Sequence, residues 1–113
     1  MIKEYYLVDK NEQLKSVIEK ILLNTDRAVL VVDKKKVLGV ISEGDVLNSL
    51  MYKKNINATA SSLMNKSFKF LKTKDFLAAK KIFKKHLCSL IPIVSPKMIL
   101  KDVITLNEFL AKI

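Results

Sequence analysis

A chain of 113 residues, half of them apolar and 28% charged, has the size of one compact domain and is too apolar to be disordered or of low complexity. Two glycines, two prolines and a single cysteine, Cys88, exclude a turn-dense sandwich, an internal disulfide framework and a zinc site built from cysteines. The formal charge is +10, no apolar run approaches the roughly 18 residues of a membrane helix, and Met1-Ile2-Lys3-Glu4-Tyr5-Tyr6 lacks the apolar stretch of a signal peptide; the chain reads as cytoplasmic.

Residues 10–23 place Leu14, Val17, Ile18, Ile21 and Leu22 at helical spacing, with Asn11 as the N-cap. Arg27-Ala28-Val29-Leu30-Val31-Val32-Asp33 is a β-branched run that predicts a buried strand. Lys34-Lys35-Lys36 makes a polar turn, Val37-Leu38-Gly39-Val40-Ile41 a second strand, and residues 43–51 regain helical period through Val46, Leu47, Leu50 and Met51. Residues 55–62 are small and polar, a connector anchored by Leu63 and Met64. A helix over 75–87 follows, with Phe76, Ala79, Ile82 and Phe83 inward and Lys80, Lys81, Lys84 and Lys85 outward. Leu90-Ile91-Pro92-Ile93-Val94 is a strand, Ser95-Pro96-Lys97 a turn, residues 98–104 a strand and 106–112 the closing helix.

The order helix, strand, strand, helix thus occurs twice, with Asp33 mapping to Ser95 and Ser42 to Thr105. The halves divide as residues 1–56 and 57–113. A unit of that length with a tiny sheet buries too little surface to stand alone. The expected fold is therefore α/β, two repeats packed sheet to sheet about a pseudo-twofold axis as one cooperative domain.

The most informative stretch runs from Gly39 through Ser42 to Asp45: a strand delivers a glycine, two apolar residues and a hydroxyl to the mouth of a helix. Such a helix end offers unpaired N–H groups and positive potential to a phosphate. Ser42 can add a hydrogen bond to it, and Asp45 can accept from ribose hydroxyls. Gly39 would let a ligand lie against the strand. The same residues also spell a helix cap: Ser42-Glu43-Gly44-Asp45 is close to a capping box and Thr105-Leu106-Asn107-Glu108 is a literal one. Spacing alone favours capping, and one helix end can serve both roles.

The stretch from Arg27 to Leu47, with Ala60-Ser61-Ser62-Leu63-Met64-Asn65 further on, resembles the cystathionine β-synthase (CBS) domain family, arranged as one tandem pair, a Bateman module. Ser42-Glu43-Gly44-Asp45 is also similar to the Ser/Thr-Asp-Gly-Asp version in CBS pairs attached to sugar-nucleotidyltransferases and sugar-phosphate isomerases. The resemblance implies a regulatory module, not an enzyme, that binds an adenosine nucleotide (AMP, ADP, ATP or S-adenosylmethionine) between its repeats. It implies a main cleft with Gly39, Ser42 and Asp45, faced by the segment around Lys66, Phe68 and Lys69 and by Ser89, Leu90, Ile91 and Pro92. The reciprocal cleft would use Thr105 and Glu108 with Tyr6, Arg27 and Ala28. There the pattern departs: Asp102 stands in the glycine position and Glu108 in the aspartate position, so this cleft is expected to be weaker.

Two other classes compete. Residues 57–113 carry 11 basic against 3 acidic groups, a net of +8, whereas residues 1–56 net only +2, which suits an anionic macromolecule. Against nucleic acid, Arg27 is the only arginine among 21 basic residues, and phosphate and guanine readers lean on arginine. A purely structural dimerisation module is the other alternative. His86, the only histidine, has no companions at metal-ligand spacing and reads as a helix-end residue; Cys88 reads as a small buried apolar group. No metal is expected. A homodimer is, through the helix carrying Val46, Leu47, Leu50 and Met51, together with an effector domain or partner enzyme outside this chain.

Overall fold

The computed structural model describes residues 2–53 and 56–112. After a short 3-10 turn over Glu4–Tyr6, strand β1 spans Leu7–Asp9, helix α1 Leu14–Leu23, β2 Ala28–Asp33, β3 Lys36–Ser42 and α2 Glu43–Asn48, which runs into a π turn at Ser49–Lys53. One helical turn, α3 (Ala60–Leu63), opens the second half, followed by α4 (Phe76–Lys85), β4 (Leu90–Val94), β5 (Leu100–Thr105) and α5 (Leu106–Ala111).

Each half builds a small sheet with helices on one face. β2 pairs antiparallel with β3 and parallel with β1; β4 pairs antiparallel with β5, and Leu71 adds a single parallel bridge to Ile93 where β1 would lie. Strand alternation then divides the core. On the helix side of the first sheet, Val29, Val31 and Ile41 pack with Leu14, Val17, Ile21 and Val46; on that of the second, Ile91, Ile93 and Ile104 pack with Ala79 and Phe109. Between the sheets, Ala28 and Leu30 meet Leu90, Val103 and Tyr6. Burying each of the larger side chains stabilises the fold by about 1.5–3 kcal/mol. The result is helices, sheet, sheet, helices, as the repeated pattern predicts.

The pseudo-twofold axis passes where the hairpins touch. Lys36 bridges Ile99, the Val37 N–H donates to the Met98 carbonyl at 2.9 Å, and the Leu100 N–H donates to the Lys35 carbonyl at 2.8 Å. Shifted by 63 positions, each of these bonds is the image of the other. Lys35 and Met98, another such pair, share left-handed backbone with φ of 70° and 67°. A β-bulge recurs at Val31/Val32 and at Ile93/Val94.

Several boundaries shift from those the sequence predicts. α1 begins at Leu14, because Asn11 spends its N–H on the Asp9 carboxylate in a turn. β1 had no strand signal, being only three residues long. Asn55, the first connector residue, lies outside the described residues. The connector is also less passive than its composition predicts: Ala60 is fully buried in the first core, the Leu14 N–H donates to the Ala58 carbonyl, and Asn65 bridges Val40. Residues 58–65 thus pack on the first sheet.

Candidate functional site between the repeats

A cleft of about 680 Å3 opens between the two halves, well within the size range of small-molecule sites. Its walls are the loop Asp26-Arg27-Ala28, the start of α2 from Ser42 to Asp45, the segment Asn65 and Ser67 to Lys69, and the passage from His86 to Leu90 that links α4 to β4. Both repeats supply wall, so a ligand held there would touch both.

The start of α2 is a complete capping box. Ser42 Oγ accepts from the Asp45 N–H at 3.2 Å, while Asp45 Oδ2 accepts from the Ser42 N–H and the Ser42 hydroxyl, both at 2.9 Å. The Glu43 N–H donates to the Arg27 carbonyl at 3.0 Å. Ser42 and one oxygen of Asp45 are therefore already bonded to each other, and no side chain accepts from the Gly44 N–H among the described residues. Arg27 stands on the rim at φ 56°, with Nε 3.9 Å from Glu43. The loop before it is shaped by buried Asn24, whose Oδ1 accepts from the Asp26 and Arg27 N–H groups while Nδ2 donates to the Ala28 carbonyl. Phe68, whose ring lies 6.0 Å from that of Phe70, and Lys69 form the opposite wall. Cys88, half-buried rather than buried, also faces the cleft; partial burial pushes its thiol pKa up, which favours the protonated thiol.

The cleft gathers Ser42, Asp45, Phe68, Lys69, Ser89 and Leu90 but not every residue assigned to it by sequence. Gly39 is absent because protein, not ligand, covers it: a Cβ there would lie 2.8 Å from the Met64 side chain and 2.9 Å from the Asn65 carbonyl. Ile91 and Pro92 are sealed inside the second sheet. Lys66 lies outside the wall, and Arg27 joins Ser42 in this cleft rather than grouping with Thr105 and Glu108. Asn24 and Asp26 carried no sequence signal beyond that of an ordinary Asx turn.

At the start of α5 the box is only half made. Thr105 Oγ1 accepts from the Glu108 N–H at 3.0 Å, but the Glu108 carboxylate turns to Lys74 Nζ at 3.3 Å. Lys74 also reaches Asp102 at 3.4 Å. Hydrogen bonding to Glu108 raises the Lys74 pKa, keeping it charged. Asp102 and Glu108, the two departures from the motif, are joined through one ammonium group.

The family model of the CBS domain matches residues 1–52, and solved structures match across nearly the whole chain. One is a candidate acetoin utilization protein from Vibrio cholerae, 20% identical, TM-score 0.81, covering 99% of this chain and 84% of that one. Another is a CBS domain pair/ACT domain protein from Thermotoga maritima, 16% identical, TM-score 0.77, covering 98% and 89%. The chain has the fold of a CBS domain pair. A CBS domain protein from Pyrobaculum aerophilum, complexed with AMP, is 15% identical with a TM-score of 0.78, covering 96% and 85%. No curated protein matches the chain.

Proposed function

We propose that this CBS domain pair is a regulatory module that binds an adenosine nucleotide in the cleft between its repeats and transmits occupancy to an effector enzyme or domain on another segment or chain. The observation carrying this reading is the composition of the cleft: Phe68 offers a ring to a base, Asp45 retains one carboxylate oxygen for ribose, and Arg27, the only arginine in the chain, stands with Lys69 for phosphate. The AMP complex of the Pyrobaculum protein, which shares the fold, supports it. The output is conformational rather than chemical. A ligand shifts an equilibrium only by binding one arrangement better than another, and walls drawn from both repeats provide such a difference. The Ser-Glu-Gly-Asp motif favours a sugar-nucleotide or sugar-phosphate enzyme as the effector.

In this reading two modules pair through the helices of the first repeat. Ile18, Ile21, Leu22, Leu47 and Leu50 border an apolar groove of about 180 Å3 between α1 and α2, and Leu22, Leu47 and Met51 are 63%, 52% and 66% exposed. Val46, assigned to that surface from sequence, also borders the groove but is 5% exposed and packs in its own core, so it adds little outward surface.

A thermal-shift panel with AMP, ADP, ATP, S-adenosylmethionine and a random DNA duplex tests the reading. Stabilisation by at least one adenosine ligand is expected, growing with its concentration. A shift with duplex alone, falling steeply with salt, would replace this reading with a nucleic-acid one.

A further inference from the structure

The pseudo-twofold axis allows the two helix starts to be compared bond by bond. The Glu43 N–H donates to the Arg27 carbonyl and, 62 to 63 positions on, the Leu106 N–H donates to the Ser89 carbonyl. The Asp45 N–H donates to Ser42 Oγ, and the Glu108 N–H to Thr105 Oγ1. The middle amide of each turn breaks the symmetry. The Asn107 N–H and its Nδ2 both donate to Asp26 Oδ1 at 3.0 Å, whereas the Asp26 counterpart facing Gly44 is Cys88, which has no carboxylate.

Asp26 is buried, with 8% of its surface exposed, and each of its acceptors is used across the repeats or to the N-terminal segment. Oδ2 accepts from the Tyr6 hydroxyl at 2.6 Å, and its backbone carbonyl accepts from the Ser89 hydroxyl at 2.7 Å. Tyr6 and Asp26 thereby fill the ground beside α5 that Lys69 and Cys88 leave open beside α2. We propose that Asp26 is an inter-repeat clamp that fastens the first turn of α5 to the first repeat, making the two clefts inequivalent and leaving the first as the open one. Because Asp26, Ser89 and Leu106 also form wall of the open cleft, a ligand there bears directly on the clamp. The clamp stands on its own bonds; its coupling to a ligand rests on the nucleotide reading.

Residue-resolved amide hydrogen exchange on the full chain tests both parts. Without ligand, Asp26→Ala should speed exchange at Asn107 by at least about tenfold, the loss expected for a hydrogen bond to a charged group, while Gly44 stays within about twofold. Asp26→Asn, which keeps one acceptor oxygen and loses the charge, should fall between and serves if the alanine variant does not fold. Unchanged exchange at Asn107, or a rise no larger than that of the buried amides of β2 and β4, would overturn the clamp. With ATP as probe, protection at Asn107 should appear in the wild type and vanish in the variants while Gly44 still responds. An equal Asn107 response in wild type and variants would overturn the coupling. No response at either amide of the wild type to ATP, nor to AMP, ADP or S-adenosylmethionine used in its place, would overturn both the nucleotide reading and the coupling, with the ligand-free result still deciding the clamp.

Discussion

Gly39 shows how one residue can be read correctly as special and wrongly as to why. Its missing side chain admits the chain itself at residues 64–65, not a ligand. Met64 can swing aside from an added methyl, but the Asn65 carbonyl is held by the Val40 N–H at 3.1 Å. Gly39→Ala should therefore destabilise by about 1–3 kcal/mol, the usual cost of overpacking, with the denaturation midpoint as its measure. At the cap, Ser42→Ala removes a bond to the Asp45 N–H and one to its carboxylate, and should cost about 1 kcal/mol whether or not a ligand binds. Two weak acids of raised pKa, the buried Tyr6 and the half-buried Cys88, set an alkaline limit. Tyr6 is raised above its ordinary 10.0, first by burial and then by its bond to Asp26; Cys88 is raised above 9.0 by burial. In each case the unfolded chain gives up its proton first, so the stability is present below the unfolded value and is lost as pH rises past it. The midpoint temperature should begin to fall near pH 9 and steepen beyond pH 10. Cys88→Ala should delay the onset; if it instead left the profile unchanged, the thiol would not be the group responsible.

Elements with a strong period were legible in the sequence, and those defined by a distant partner were not. α4 carries Phe76, Ala79, Ile82 and Phe83 on one stripe and is capped by Asp75, which accepts from the Leu77 and Ala78 N–H groups. β2 and β4 announce themselves as short apolar runs. β1 exists only because β2 offers it an edge, and local residues say nothing of that. The capping boxes inverted for a related reason: the literal one lost its glutamate to Lys74, 34 positions away, while the shorter Asp45 closes its own. At this scale the surface of α2 and of the π turn that follows it is the point of test. Leu47→Lys and Met51→Lys place charges on exposed positions, so monomer stability should change by no more than about 0.5 kcal/mol. Sedimentation should show a wild-type dimer that these substitutions dissociate. A dimer indifferent to both would move the interface elsewhere.

In the whole molecule, duplication makes the architecture readable from sequence and also hides its asymmetry. The repeated order of elements, the strand alternation and the hairpin contact at Lys36 and Ile99 follow from two similar halves meeting face to face. The choice between clefts does not follow from the motif alone. Asp102 was a visible departure, but Lys74 holds it, and the residue that most distinguishes the second cleft is Asp26, 3.0 Å from the Asn107 amide in space and 81 positions away in sequence. The second half's excess charge reaches the cleft wall through Lys69 among the lysines named for it, while Lys80, Lys81, Lys84 and Lys85 remain on the outer surface. Isothermal calorimetry of the full chain with AMP and ATP, repeated on Asp45→Ala and Glu108→Ala, tests the central claim most directly. One site per chain is expected, weakened by about 1.5–3 kcal/mol in Asp45→Ala, as for a hydrogen bond to a charged group, and unchanged in Glu108→Ala. Binding that survives Asp45→Ala and disappears with Glu108→Ala, or no binding of either nucleotide to the wild type, would contradict it.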